Sequence, residues 1–238
     1  MSKTVRLDKF LADAGKGTRS EVKKYIQKGL VEINGQTVKK PEQKVGPEDR
    51  VLFKGEEIAR EPEHVYYLLH KPAGYVSATE DKRDRTVMEL IPSARKGLFP
   101  AGRLDKDTEG LLVLTNDGQL AHRVLSPKKH VPKTYYAKIQ GIVTDKDVKA
   151  FEKGVTLDDG YETMPSQLKI IESGEVSEIE LTIHEGKFHQ VKRMFESLGK
   201  KVVYLKRLSM GKLILDESLS LGEYRELTDE EVKLIEER

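Results

Sequence analysis

Apolar positions change their period along this chain, and the changes mark its elements. In RLDKFLADAG (6–15), Leu7, Phe10 and Leu11 recur at helical spacing. In the following GTRSEVKKYIQKG, Thr18 and Glu21 form a T-x-x-E capping box, and Gly29 predicts the stop. Val22, Tyr25 and Ile26 give this second helix one apolar face, while Arg19, Lys23, Lys24 and Lys28 crowd the other. VEINGQTV (31–38) predicts a hairpin through Asn34-Gly35, a pair suited to the positive φ angles of a two-residue turn. RVLFKG (50–55) predicts a closing strand. GEEIAREPE (55–63) loses all periodicity and carries a proline, so a linker is expected there, separating a module over 1–60 from a domain over 64–238.

From VYYLLHKPAGYVSAT (65–79) onward the pattern is rich in strands. They are predicted near 65–69, 110–115, 133–140, 166–172, 177–184 and 201–208, with helices near 118–126, 144–153, 189–198 and 228–237. Strands and helices do not alternate strictly. An α+β fold with a mixed sheet is therefore expected in place of a doubly wound parallel one.

Composition narrows the function classes. There are no cysteines, which excludes disulfides, thiolate metal sites and cysteine nucleophiles. The six histidines show no H-E-x-x-H or comparable spacing, and neither a phosphate loop, a G-x-S-x-G elbow nor a dinucleotide fingerprint is present. Any chemistry here is expected to run on carboxylates, lysines, arginines and tyrosines, without metal or cofactor. MSKTVRLDKF has no apolar core of a signal segment, and no apolar run reaches the length of a membrane span, so a cytoplasmic location is expected. The net charge of +2 conceals an asymmetry: residues 1–60 hold fourteen Lys and Arg against nine Asp and Glu, and the remainder 28 against 31. A basic module beside a near-neutral body fits polyanion docking, although a solvated basic face has the same composition.

Three segments carry candidate chemistry. GRLDKDTEG (102–110) sets three carboxylates and two cations against the apolar strand GLLVLT; Asp105, next to Leu104, is the carboxylate expected to be partly buried, with Asp107 and Glu109 more exposed. A polar loop is the plain alternative. EGKFHQVKRMFESLGK (185–200) places Val191, Met194, Phe195 and Leu198 on one helix face and His189, Lys192, Arg193 and Glu196 on the other. Its adjacent cations suit a carboxylate and an RNA phosphate; a solvated amphipathic helix has the same spacing. In KTYYAKIQG (133–141), alternation sends Tyr135 and Tyr136 to opposite faces, one of which could offer a ring to a flat base.

Taken together these segments resemble a known family. GRLDKDTEGLLVLTNDG is similar to the signature G-R-L-D-x-x-T-x-G-L-L-x-x-T-x-D-G of RNA pseudouridine synthases, in the branch named for RsuA. HKPAGYVSAT resembles that family's K-P-x-G segment, and EGKFHQVKRM its H-Q-V-[KR]-R-M motif. The first sixty residues are similar to the small RNA-binding module of a ribosomal small-subunit protein (S-four-like). The resemblance implies a small α/β RNA-binding module joined to a larger, mixed and mainly antiparallel catalytic domain. It implies isomerisation of a uridine: the N1–C1′ bond breaks, the uracil turns, and C5 rejoins the sugar, with no redox change and no cofactor or metal.

On the same resemblance Asp105 is the catalytic aspartate, and three routes are open to it: attack on the ring, attack on C1′, or proton abstraction from the sugar. Tyr135 matches the tyrosine that stacks on the uracil, Lys192 the basic partner of the aspartate, and Arg103 the arginine that helps extrude the nucleotide, at a cost of a few kcal/mol. Lys71, His189 and Arg193 are expected to contact RNA in the cleft, and Arg19, Lys23, Lys24 and Lys28 in the first module. Phe188 departs from the family pattern, where tyrosine is common. KTY, EGKFHQVKRM and LGEYRELTDEEV resemble the small-subunit enzymes. The expected substrate is thus ribosomal RNA, in a partly assembled small subunit, acted on by a monomer away from any membrane. A large-subunit synthase and a non-catalytic assembly factor are the alternatives.

Overall fold

The computed structural model describes residues 4–58, 64–92 and 97–237. The chain divides into two compact units, residues 1–63 and 64–238.

In the first unit, β1 (Val5–Arg6) leads directly into α1 (Leu7–Asp13), and α2 (Arg19–Gln27) packs on α1. The Thr18 backbone N–H donates to Glu21 Oε2 at 2.7 Å, and the Glu21 N–H donates back to Thr18 Oγ1 at 3.3 Å, which closes the expected capping box. Strands β2 (Val31–Ile33) and β3 (Gln36–Thr37) form a hairpin whose Asn34 and Gly35 lie at φ 51° and 78°. Strand β4 (Lys44–Val45) pairs with β1; β5 (Val51–Phe53) pairs with β2, and β6 (Glu56–Glu57) with β5. The expected linker is thus corrected at its start: residues 56–57 are a strand, and Ile58 is buried in the core with Leu7, Leu11, Val22 and Ile26. The turn into β6, Lys54-Gly55, has the same left-handed pair of angles as Asn34-Gly35. The remainder of the expected linker, 59–63, lies outside the described residues.

The second unit is built on a nine-stranded sheet. Its elements in chain order are β7 (Tyr66–Lys71), β8 (Phe99–Pro100), β9 (Glu109–Thr115), α3 (Gly118–Leu125), β10 (Lys133–Gln140), α4 (Asp145–Lys153), β11 (Gln167–Glu172), β12 (Val176–Ile183), α5 (Gln190–Glu196), β13 (Lys201–Met210), β14 (Leu213–Ile214), β15 (Tyr224–Glu226) and α6 (Asp229–Leu234). The sheet runs β11-β12-β10-β13-β9-β7-β15, with β14 on β13 and β8 on β9. Among the described strands of this sheet every pairing is antiparallel except β13 with β9. The sheet is mixed, as the patterning predicts, and mainly antiparallel, as the resemblance implies.

GLLVLT is continuously apolar because β9 is covered on both faces. Leu112 and Leu114 pack with Leu69, Tyr135 and Phe195, while Leu111 and Val113 pack with Leu68, Leu120 and Met210 on the other side. At the parallel crossing Gly110 pairs with Arg207. Its φ is +104°, and a Cβ there would lie 2.2 Å from the Arg207 carbonyl oxygen. Only glycine lets these backbones meet, and the meeting point lies at the foot of the loop bearing Asp105.

Candidate active site

The loop from Gly102 to Thr108, between β8 and β9, is shaped from below by one lysine. Lys71, at the end of β7, is fully buried, and its Nζ donates to the carbonyls of Thr108 at 2.7 Å, Pro72 at 3.1 Å, Asp105 at 3.1 Å and Lys106 at 3.4 Å. Ser77 Oγ accepts from the Leu104 N–H and donates to the Leu104 carbonyl, both at 3.0 Å, and the Gly74 N–H donates to the Lys106 carbonyl at 2.7 Å. Lys71 is therefore not an RNA contact, a correction to the sequence reading. Its ammonium is sealed inside and occupied by carbonyls. Burial pushes its pKa down to about 8, against the pull of Asp107, Asp105 and Glu109.

With its backbone drawn inward, the loop turns Asp105 towards α5. Lys192, in the first turn of that helix, places Nζ 3.1 Å from Asp105 Oδ2 and 2.6 Å from Asp107 Oδ1. The Asp105 side chain is 25% exposed against 71% for Asp107, the expected ranking. Burial works against the charge of Lys192, yet the two carboxylates outweigh it and hold its pKa above the ordinary lysine value. Burial likewise opposes the charge of Asp107, and Lys192 reverses the effect and keeps its pKa low. His189 Nε2 stands 3.5 Å from Asp105 Oδ1. The start of α5 is fixed by buried Gln190, whose amide donates to Glu185 at 2.7 Å and accepts from the Lys187 N–H at 2.8 Å.

Asp105 opens into a cavity of about 530 Å³. Arg103, Tyr135 and His189 line it, together with two cations that sequence reasoning did not single out, Lys133 and Arg207. Tyr135 is buried on β10 directly opposite Arg207 on β13. Lys133, two residues before Tyr135 and therefore on its face of the strand, is the signal the sequence did contain. Arg103 is exposed, with no side-chain partner among the described residues.

Other expected contacts are differently placed. Arg193 is held by its own chain, through Nε to Asp158 Oδ1 at 2.6 Å and Nη2 to Asp159 Oδ2 at 2.7 Å, so it is not presented to a phosphate. In the first unit, buried Asp8 gathers Arg6 at 3.0 Å, Arg19 at 3.6 Å and Lys23 at 4.0 Å, whereas Lys24 and Lys28 are exposed and make no ion pair among the described residues. Phe188 is 76% exposed and stacks on the His189 ring with centroids 3.7 Å apart. Among the described residues, no group of three or more His, Asp or Glu is arranged to hold a metal ion.

This geometry coincides with two family models. Residues 65–197 match the model of RNA pseudouridylate synthase, and residues 5–51 match that of the S4 domain. The chain belongs to the RNA pseudouridylate synthase family. Within the family it is 49% identical to an RNA pseudouridine synthase of Bacillus subtilis, over 98% of this chain and 99% of the relative. It is 43% identical to ribosomal small subunit pseudouridine synthase A of Haemophilus influenzae, over 96% of this chain and 98% of that one. Identity to ribosomal large subunit pseudouridine synthase B of B. subtilis is 40%, over 96% and 94%. Among solved structures, a pseudouridylate synthase superposes with a TM-score of 0.68 at 41% identity, covering 97% of this chain and 99% of that one. The RsuA-type pseudouridine synthase that the motifs suggest is therefore the family of this chain, and an enzyme activity comes with it.

Proposed function

We propose that this pseudouridine synthase isomerises one uridine of small-subunit ribosomal RNA and that Asp105 carries the reaction. The observation behind the assignment is the Asp105–Lys192 pair, 3.1 Å apart at the wall of a cavity that also holds Tyr135. Lys192 sets its ammonium 3.1 Å from Asp105 Oδ2, whichever of the three routes the aspartate follows. Tyr135, packed from behind by the sheet, offers the ring on which a flipped uracil stacks, and Arg103 at the rim takes the place the base leaves. The cavity wall excludes water, so the detached uracil stays in register for C5 to bond to C1′.

The small-subunit target is supported by the Haemophilus relative and by the segments KTY, EGKFHQVKRM and LGEYRELTDEEV. The large-subunit relative at 40% identity supports the alternative target. We assign the first unit to docking on ribosomal RNA through Lys24 and Lys28, with the protein acting in the cytoplasm as a monomer on a partly assembled small subunit. Mapping pseudouridine in both ribosomal RNAs of the host, with the gene intact and deleted, tests the reading. Loss of one small-subunit site is expected; loss of a large-subunit site would move the target, and no loss at all would sink the proposal.

A further inference from the structure

Lys133 and Arg207 line the cavity while 8% and 2% exposed, and neither has an ion pair among the described residues. Lys133 Nζ donates to the Val131 carbonyl at 2.8 Å and Arg207 Nε to the Leu111 carbonyl at 2.8 Å. Arg207 Nη2 is buried with no hydrogen-bond partner among the described residues. Burying cations without carboxylates is costly, and a guanidinium nitrogen left unbonded costs more. Burial and the neighbouring Arg207 push the Lys133 pKa down to about 8, which places the two groups in each other's field.

Such unmet donors call for an acceptor that arrives with the ligand. Tyr135 neighbours both on the same face of the sheet: it follows Lys133 by two residues on β10 and faces Arg207 across to β13. A flat base resting on the Tyr135 ring turns its edge to both cations. Lysine and arginine offer donors only. Uracil presents carbonyl acceptors at O2 and O4, whereas cytosine presents an amino donor at position 4. Apolar Ile183, Val191 and Leu205 also line the cavity, and Glu185 on the same wall already accepts from Tyr161, Met164 and Gln190.

We propose that Lys133 and Arg207 form a donor-only edge that reads the carbonyl oxygens of the target uracil and rejects cytosine. The inference rests on the synthase reading above and names the residues that set its base specificity. An amino group brought against this edge leaves donors facing donors, both buried, a mismatch expected to weaken binding about tenfold to a hundredfold.

Binding of uridine 5′-monophosphate, cytidine 5′-monophosphate and ribose 5-phosphate can be titrated by calorimetry or NMR against wild type, Lys133→Met and Arg207→Gln, with thermal unfolding as the fold control. The wild type should prefer the uridine ligand by about tenfold or more. Each variant should bring that ratio towards one, through weaker uridine binding and unchanged ribose 5-phosphate binding. If Arg207→Gln fails to fold, Lys133→Met alone decides. A ratio that persists in a folded variant overturns the inference, and so does a matching loss of ribose 5-phosphate affinity, which would make the pair a phosphate site. Pseudouridine formation by the wild type is measured alongside. An active enzyme with an unmoved ratio refutes only the base-reading edge, whereas an inactive wild type refutes the proposed function itself.

Discussion

Lys71→Met tests whether a buried ammonium organises the loop bearing Asp105. The substitution keeps the chain length and removes the donor that Thr108, Pro72 and Asp105 share at 2.7, 3.1 and 3.1 Å. Each carbonyl left without a partner costs about 1–3 kcal/mol, and relief from burying the charge offsets part of the loss. The balance at neutral pH is a destabilisation of about 3 kcal/mol. Its signature is the pH dependence. Lys71 titrates near 8 in the folded protein against 10.5 unfolded, so between those values the unfolded chain binds more protons and stability rises with pH. From pH 7 to 9.5 the rise from this one group is about 2 kcal/mol. Lys133, also near 8, adds a similar amount. Staying below pH 10 avoids Tyr66, whose pKa is raised to about 12 and whose linkage has the opposite sign. Urea unfolding at several pH values should therefore show the wild type gaining about 4 kcal/mol and Lys71→Met about 2. Turnover on ribosomal RNA should fall about a hundredfold in the variant, since a displacement of about an ångström at Asp105 suffices for that. An unchanged pH rise, or full turnover in the folded variant, would refute the brace.

Asp105→Asn should fold, bind RNA as the wild type does and form no pseudouridine, while Asp107→Asn should lose less than about tenfold because its carboxylate lies outside the cavity; comparable turnover by wild type and Asp105→Asn ends the assignment. Gly110→Ala should cost about 3 kcal/mol or more, because its Cβ meets the Arg207 carbonyl at 2.2 Å, whereas Gly35→Ala, with open space and φ +78°, should cost about 1 kcal/mol; equal losses in denaturation would show that the close approach is not what matters. Lys24→Ala with Lys28→Ala should lower the log–log salt slope of RNA binding by roughly 0.7–0.9 per contact, and Lys23→Ala by less, since Asp8 already engages it; a slope that ignores the double variant would move docking away from this helix.

The long strands were legible because their period is written in their own residues. The 133–140 strand coincides with β10, and the predicted bounds of β9, β11, β12 and α4 differ from the structure by a residue at most. Strands of two or three residues, such as β1, β4, β8, β14 and β15, are too short to show a period. Strand β6 was read as linker for a sharper reason. Lys54 occupies a left-handed turn position normally signalled by asparagine or glycine, so Lys-Gly did not announce a hairpin as Asn-Gly did.

Charge was the harder feature to read, because a charged residue's role depends on partners far away in sequence. Lysine and arginine default to the surface, yet Lys71 is buried by carbonyls 34 to 37 residues downstream and Arg193 is neutralised by carboxylates 34 and 35 residues upstream. The loop GRLDKDTEG shows how such partners divide one cluster of charge into separate functions. Glu109 accepts from the Tyr204 hydroxyl at 2.6 Å and fastens β9 to β13. Asp107 holds the outer side of Lys192, and Lys106 pairs with Asp84 at 2.6 Å. Asp105 alone among the three carboxylates lines the cavity, with its backbone carbonyl tied down by Lys71 and its side chain met by Lys192. Most of the charge around the signature is therefore architectural: it fixes strand, loop and helix so that one carboxylate faces the cavity at a set distance from a cation. Spacing within the loop could rank Asp105 as the most buried, but only the fold, by closing 87 residues of separation between Asp105 and Lys192, turns that burial into a site.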